Sequence, residues 1–213
     1  MKHTTRFLLS IIFFSLFVGC KTTYRATQPQ IAEPTELENV LLVGRITIEF
    51  SDNPEPAFSE FSALFPSGSH TKNIRLRFAN KETGEEYHTN TLDESGLFCL
   101  RVRADIEINF IYLDLYSPRT STRAYSFELF DPFSEPKKTR AIRTFQTGSG
   151  QVLDLGHIRH VHGVVSLFST FEQSPEEGKN QALFLEKFPE SEWNQFAWNY
   201  KDMGGFPFLP QGI

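Results

Sequence analysis

Residues 73–102 read NIRLRFANKETGEEYHTNTLDESGLFCLRV, and this stretch decides the fold class. Ile74, Leu76 and Phe78 alternate with Arg75, Arg77 and Ala79, the period of a half-buried strand. Asn80-Lys81-Glu82-Thr83-Gly84 is a short polar loop in which Gly84 is free to take a positive φ. An extended Thr/Tyr-rich run follows over 85–92. Asp93-Glu94-Ser95-Gly96 turns the chain again, and 97–102 alternates once more. Asp93 and Glu94 are read as turn formers, because so short a loop offers too few oxygens for calcium. Three strands and two tight turns predict an antiparallel meander.

Outward from this stretch the pattern persists. Leu41, Val43, Ile46, Ile48 and Phe50 form a strand with a break or bulge near Gly44. Residues 51–72 are loop-like, punctuated by Pro54, Pro56, Pro66 and Gly68, with Phe58, Phe61, Leu64 and Phe65 at helical spacing. Alternating runs recur at 106–116 and 123–130, more weakly at 138–146, then at 151–158 and 161–168. The first of these becomes apolar on both faces in its second half, as expected of a strand covered on both sides. Short strands, Gly/Pro turns and no intervening helix predict an all-β antiparallel sandwich over residues 39–171. The 22 Phe predict an unusually aromatic core.

Val43-Gly44-Arg45-Ile46, Thr83-Gly84-Glu85, Thr91-Leu92-Asp93, Gly96-Leu97-Phe98 and Leu155-Gly156-His157-Ile158 together resemble the carboxypeptidase regulatory-like domains. Those are small prealbumin-like β-sandwiches, often found on secreted or surface proteins. The resemblance covers residues 40–165 and implies a non-catalytic accessory or binding module, with no catalytic residue to carry over. The chain departs from that pattern by the insertion at 51–72 and by its carboxyl-terminal segment.

The start of the chain is read separately. Lys2 and Arg6 precede an apolar run over residues 7–18, too short to span a bilayer as a helix. It suits a secretory signal over residues 1–19, and Gly19-Cys20 resembles a bacterial lipoprotein cleavage box. That resemblance implies lipid on Cys20 and residence in the cell envelope, on an outer membrane in preference to an inner one where both exist. Residues 20–38 are nearly devoid of apolar side chains and read as a flexible tether, about 60 Å at full stretch. The net charge is −5, and losing Lys2 and Arg6 with a leader that holds no acid takes it to −7. An acidic chain without a basic cluster argues against nucleic acid and against attraction to anionic lipid. The lipid itself would therefore be the membrane contact, and an envelope protein the partner.

At residues 172–213 the composition changes. Ser174-Pro175-Glu176-Glu177 predicts a helix start, with Ala182, Phe184, Leu185 and Phe188 as its apolar side. Trp193, Phe196, Ala197 and Tyr200 predict one face of a second short helix. Trp193, Phe196 and Tyr200 are candidates for contacting a partner, unless the stripe docks on its own sandwich. His157, His160 and His162 are the one cluster with metal-ligand chemistry, although a strand would turn His157 away from the other two. They are the basis of the alternative function, a metal- or carboxylate-dependent envelope hydrolase. No cofactor motif accompanies them, and Gly148-Ser149-Gly150 is a turn rather than a nucleophile elbow. The only cysteines are Cys20 and Cys99, and Cys99 between Phe98 and Leu100 reads as a buried structural side chain.

Overall fold

The computed structural model describes residues 39–50, 69–116, 123–128, 143–148, 151–162 and 170–203. Eleven strands lie among them: β1 (Asn39–Phe50), β2 (Ser69–His70), β3 (Ile74–Asn80), β4 (Glu86–Asn90), β5 (Leu97–Arg103) and β6 (Glu107–Tyr116). They continue with β7 (Arg123–Glu128), β8 (Arg143–Gln146), β9 (Val152–His162), β10 (Thr170–Ser174) and β11 (Trp198–Tyr200). One helix, α1 (Lys179–Lys187), and a 3-10 turn (Glu192–Gln195) precede β11. The all-β class read from the sequence holds. The predicted strand at 151–158 extends, as β9, to His162, and most of the predicted strand at 161–168 lies outside the described residues.

The strands divide into a five-stranded antiparallel sheet, β4-β3-β6 with β7 and β8, and a mixed sheet built on β1 and β9. In the mixed sheet β1 and β9 run parallel, and so do β9 and β11. Each long strand satisfies one of its edges with two short strands set end to end, so the backbone groups of that edge find partners. On β1 these are β5 and β2, on β9 they are β10 and β11, and on β6 they are β7 and β8.

The predicted meander is half right. β3 and β4 form the hairpin, Gly84 has φ 73°, and Asn80 Oδ1 accepts from the Glu82 and Thr83 amides. The Asp93 turn, however, hands β5 to the other sheet, where it pairs with β1 from Asn39↔Arg103 to Arg45↔Leu97. Thr89 Oγ1 donates to the Cys99 carbonyl at 2.6 Å, tying β4 to the departing strand. Alternation within a strand reports which residues are buried, not which strand lies alongside, and that distinction accounts for the difference.

Between the sheets lies the main core. Val40, Leu42, Ile46 and Ile48 of β1 face Ile74, Leu76 and Phe78 of β3 and Ile108, Phe110, Leu113 and Leu115 of β6. Phe98, Phe78, Phe110 and Phe171 form an aromatic chain through it, with Phe78 and Phe110 stacked at 4.7 Å. β6 reaches this register through a bulge, since Arg77 faces Tyr112 and Phe78 faces Phe110, leaving Ile111 extra. The doubled apolar character of its second half therefore has two sources, the bulge and the burial of Asp114 and Tyr116 on the opposite face.

A third layer covers half of the mixed sheet's outer face. Leu41, Val43, Leu97, Cys99 and Val152 meet Phe184 and Trp193, flanked by Phe188, Phe196 and Trp198. This is why residues 40–43 and 97–100 are buried without interruption. The layer departs from the predicted helices. Ser174 is the last residue of β10, and α1 begins only after Gly178, whose φ of 70° stops a helix from starting at Pro175. Its inward row is Asn180, Phe184 and Phe188, spaced by four, while Leu185 is 48% exposed. The predicted second helix is a single 3-10 turn followed by strand β11.

Candidate functional site

The chemistry-bearing side chains gather on the other half of that outer face, where the third layer stops. β1 presents Arg45, Thr47 and Glu49 by simple alternation against Ile46, Ile48 and Phe50. β9 reaches the same face only through a register shift. Val43 pairs with Asp154 and Arg45 with His157, so Leu155 and Gly156 together oppose Gly44. Gly156 sits at φ 63°, and a Cβ there would stand 2.2 Å from the Ser174 carbonyl oxygen. Gly44 is equally constrained by space, because its Cβ would meet the Phe98 ring at 2.8 Å. The sequence located an irregularity at Gly44; the extra residue belongs to β9. Leu153 and Leu155 face the core before the bulge, Ile158 and His160 after it, and His157 and Arg159 consequently point outward.

His157 is the hub of this face. Its Nε2 is hydrogen-bonded to Thr47 Oγ1 at 2.9 Å, and its Nδ1 lies 3.7 Å from Glu176 Oε1. Glu176 Oε2 accepts from Arg45 at 2.5 Å, and Lys179 reaches Oε1 at 3.2 Å. Arg45 Nε in turn donates to the Ser95 carbonyl at 2.9 Å. Alongside, Arg159 makes two bonds to Glu49, at 2.9 and 2.6 Å, and one to Glu172 at 3.1 Å. Burial, reinforced by the Arg45 charge, lowers the His157 pKa against the pull of Glu176. Burial also opposes ionisation of Glu176, but Lys179, Arg45 and His157 outweigh it and hold its pKa below the usual carboxylate range. The Arg159 hydrogen bond, against some burial, lowers Glu49 as well.

Of the three histidines weighed as metal ligands, the two whose side chains are described are turned apart. His157 faces outward, whereas His160 is 3% exposed on the core side with its ring 6.1 Å from that of Phe171. The His162 side chain lies outside the described residues. Among the described residues no group of three His, Cys, Asp or Glu side chains is placed to hold a metal ion. Trp193 is fully buried against the sheet, Phe196 is half-buried with its ring 5.3 Å from Trp193, and Tyr200 is 42% exposed. These three therefore do not form one free stripe, and Trp193 presents nothing to a partner. Cys20 lies outside the described residues. Cys99 is buried, and loss of solvation raises its thiol pKa far above the ordinary value.

Thr47, Arg45 and Glu176 were not singled out from the sequence. The polar alternation Arg45-Thr47-Glu49 was visible there, but the residues that complete the group lie more than 100 positions away.

Compared with known proteins, the chain matches no family model and no curated protein. A 9R-lipoxygenase from Cyanothece PCC8801 aligns with 65% of this chain and 18% of its own at 16% identity, with a TM-score of 0.24. A likeness that slight carries no argument about fold or chemistry.

Proposed function

We propose that the chain is an envelope lipoprotein, held to its membrane by lipid on Cys20, whose β-sandwich acts as a non-enzymatic binding or assembly module. The observation that carries the binding part is the division of the mixed sheet's outer face. Among the described residues, one half is sealed by the chain's own third layer, and the other carries a strip of charges running from Arg45 through Arg159 to Glu172. A strip of opposed charges on a sheet face sets register and orientation with a partner, more than bulk affinity. The anchor is supported by the basic start, the short apolar run and Gly19-Cys20. The hydrolase alternative is weakened, since His157 and His160 point to opposite faces and cannot share an ion.

The anchor and the strip are tested separately. Metabolic labelling with a fatty-acid analogue should mark the wild-type chain and leave Cys20→Ala unlabelled. Normal labelling of that variant overturns the anchor. A photo-crosslinker at position 172 should yield one discrete envelope-protein adduct, lost when Arg159→Glu reverses the strip's charge. The same adduct pattern from both proteins would remove the strip from the binding surface.

A further inference from the structure

We propose that Thr47 is a base-activated hydroxyl that accepts a small acyl group from an activated ester, with His157 taking its proton and Glu176 orienting the imidazole. The site goes beyond a binding role and involves a stoichiometric modification of the chain. A nucleophile is recognised by geometry: a hydroxyl within hydrogen-bond reach of a base, and the base in turn oriented by a third group. Thr47 Oγ1 and His157 Nε2 are 2.9 Å apart, and Glu176 stands beside the other ring nitrogen at 3.7 Å. That 3.7 Å is an ion-pair distance rather than a hydrogen bond, and a neutral His157 carrying its proton on the Nδ1 that faces the carboxylate turns the Nε2 lone pair to the hydroxyl.

The orienting carboxylate is itself held. Arg45 binds its second oxygen and is anchored through Nε to the Ser95 carbonyl, which places Arg45 and Glu176 as positioning residues. Among the described residues, the other charged groups of this face are Glu49, Arg159, Glu172 and Lys179, from β1, β9, β10 and α1. A lowered imidazole pKa keeps His157 neutral, the form that accepts a proton. Thr47 is only 7% exposed, which restricts the donor to a small acyl group.

In the step, Thr47 Oγ1 forms a bond to the donor's carbonyl carbon and the bond from that carbon to the leaving oxygen breaks. The leaving group departs with its electron pair. The hydroxyl proton passes to His157 Nε2 and then to the leaving oxygen, so an ester on Thr47 and a free alcohol or phenol result.

The competing account makes Thr47 only a hydrogen-bond partner that satisfies His157. The full chain incubated with p-nitrophenyl acetate, followed by peptide mass mapping, decides between them. An acetyl ester on Thr47, cleaved by hydroxylamine as lysine amides are not, is expected. It should be absent in Thr47→Ala and retained in Thr47→Ser. In His157→Gln, at unchanged melting temperature, it should form about 100-fold more slowly, the size of a general-base contribution. Its rate should rise with pH to a midpoint below about 6.5, the ordinary imidazole value. Absence of the ester from wild type overturns the proposal. So does an unchanged rate in His157→Gln, a readout that holds even where Thr47→Ala fails to fold.

Discussion

At the scale of single residues, Gly156 does the most. Its positive φ and lack of a side chain permit the bulge that sends His157 outward and His160 inward. Gly84 has nearly the same φ but nothing within 4 Å of where a Cβ would be. The two glycines therefore separate backbone strain from steric conflict. Gly84→Ala should cost about 1–2 kcal/mol, the penalty of a left-handed alanine. Gly156→Ala adds a clash with the Ser174 carbonyl and should cost clearly more in denaturant unfolding. Equal losses would show that the bulge relaxes around a methyl group. Cys99 makes a second point at this scale. Cys99→Ser puts a hydroxyl between two apolar layers and should cost about 1–3 kcal/mol. In the folded wild type its thiol should resist alkylation, and rapid labelling would place it at the surface.

At the scale of elements, the third layer is clamped at both ends of α1. Glu176 holds the approach to the helix through Arg45, and Lys187 in its last turn pairs with Asp93 of the sheet-crossing turn. Phe184 between these clamps and Trp193 in the turn beyond them are fully buried. A nine-residue helix has little stability of its own in water, so packing must hold it. Burying a Trp and a Phe contributes several kcal/mol at about 25 cal/mol per Å². Truncation after residue 178 should accordingly lower the melting temperature substantially and make Cys99 reactive, because Leu41, Val43, Leu97 and Cys99 lose their cover. A truncated chain with unchanged melting and a protected thiol would mean that the sandwich needs no third layer.

For the whole molecule, the shifted histidines and carboxylates share a sign, whereas burial raises the Cys99 thiol and the Tyr87 hydroxyl. Burial and Arg45 lower His157. Asp93 is held down at about 2 by Lys187 and Ser95 despite burial, and Glu49 and Glu176 are lowered too. A lowered folded-state pKa means that the folded chain binds fewer protons than the unfolded one, so acid favours unfolding. Stability should fall first as pH drops below about 6.5, through His157 and His88, both lowered by burial, and further below about 4.5, through the carboxylates. His157→Gln should remove part of the first fall, leaving the share of His88, and leave the second unchanged. A wild-type melting temperature flat between pH 7 and 5 would contradict the burial of His157.

The sequence by itself determined what depends on near neighbours. Alternation marked most of the strands, turn chemistry marked Gly84 and Asp93, and the apolar flanks of Cys99 marked it as buried, since each signal spans only a few residues. Partnership was decided by tertiary structure alone. The parallel alignment of β1 with β9, the transfer of β5 to the mixed sheet and the meeting of Thr47 with His157 join segments separated by 50 residues or more. Local pattern says that a face will be covered, not by what. The Trp193 segment shows the same limit, because its aromatic spacing suits a helix while the free edge of β9 beside Val152 favours a strand. Where a short segment has two acceptable conformations, the one that completes a hydrogen-bonded edge and buries the most apolar surface prevails, and both quantities exist only once the distant strands have come together.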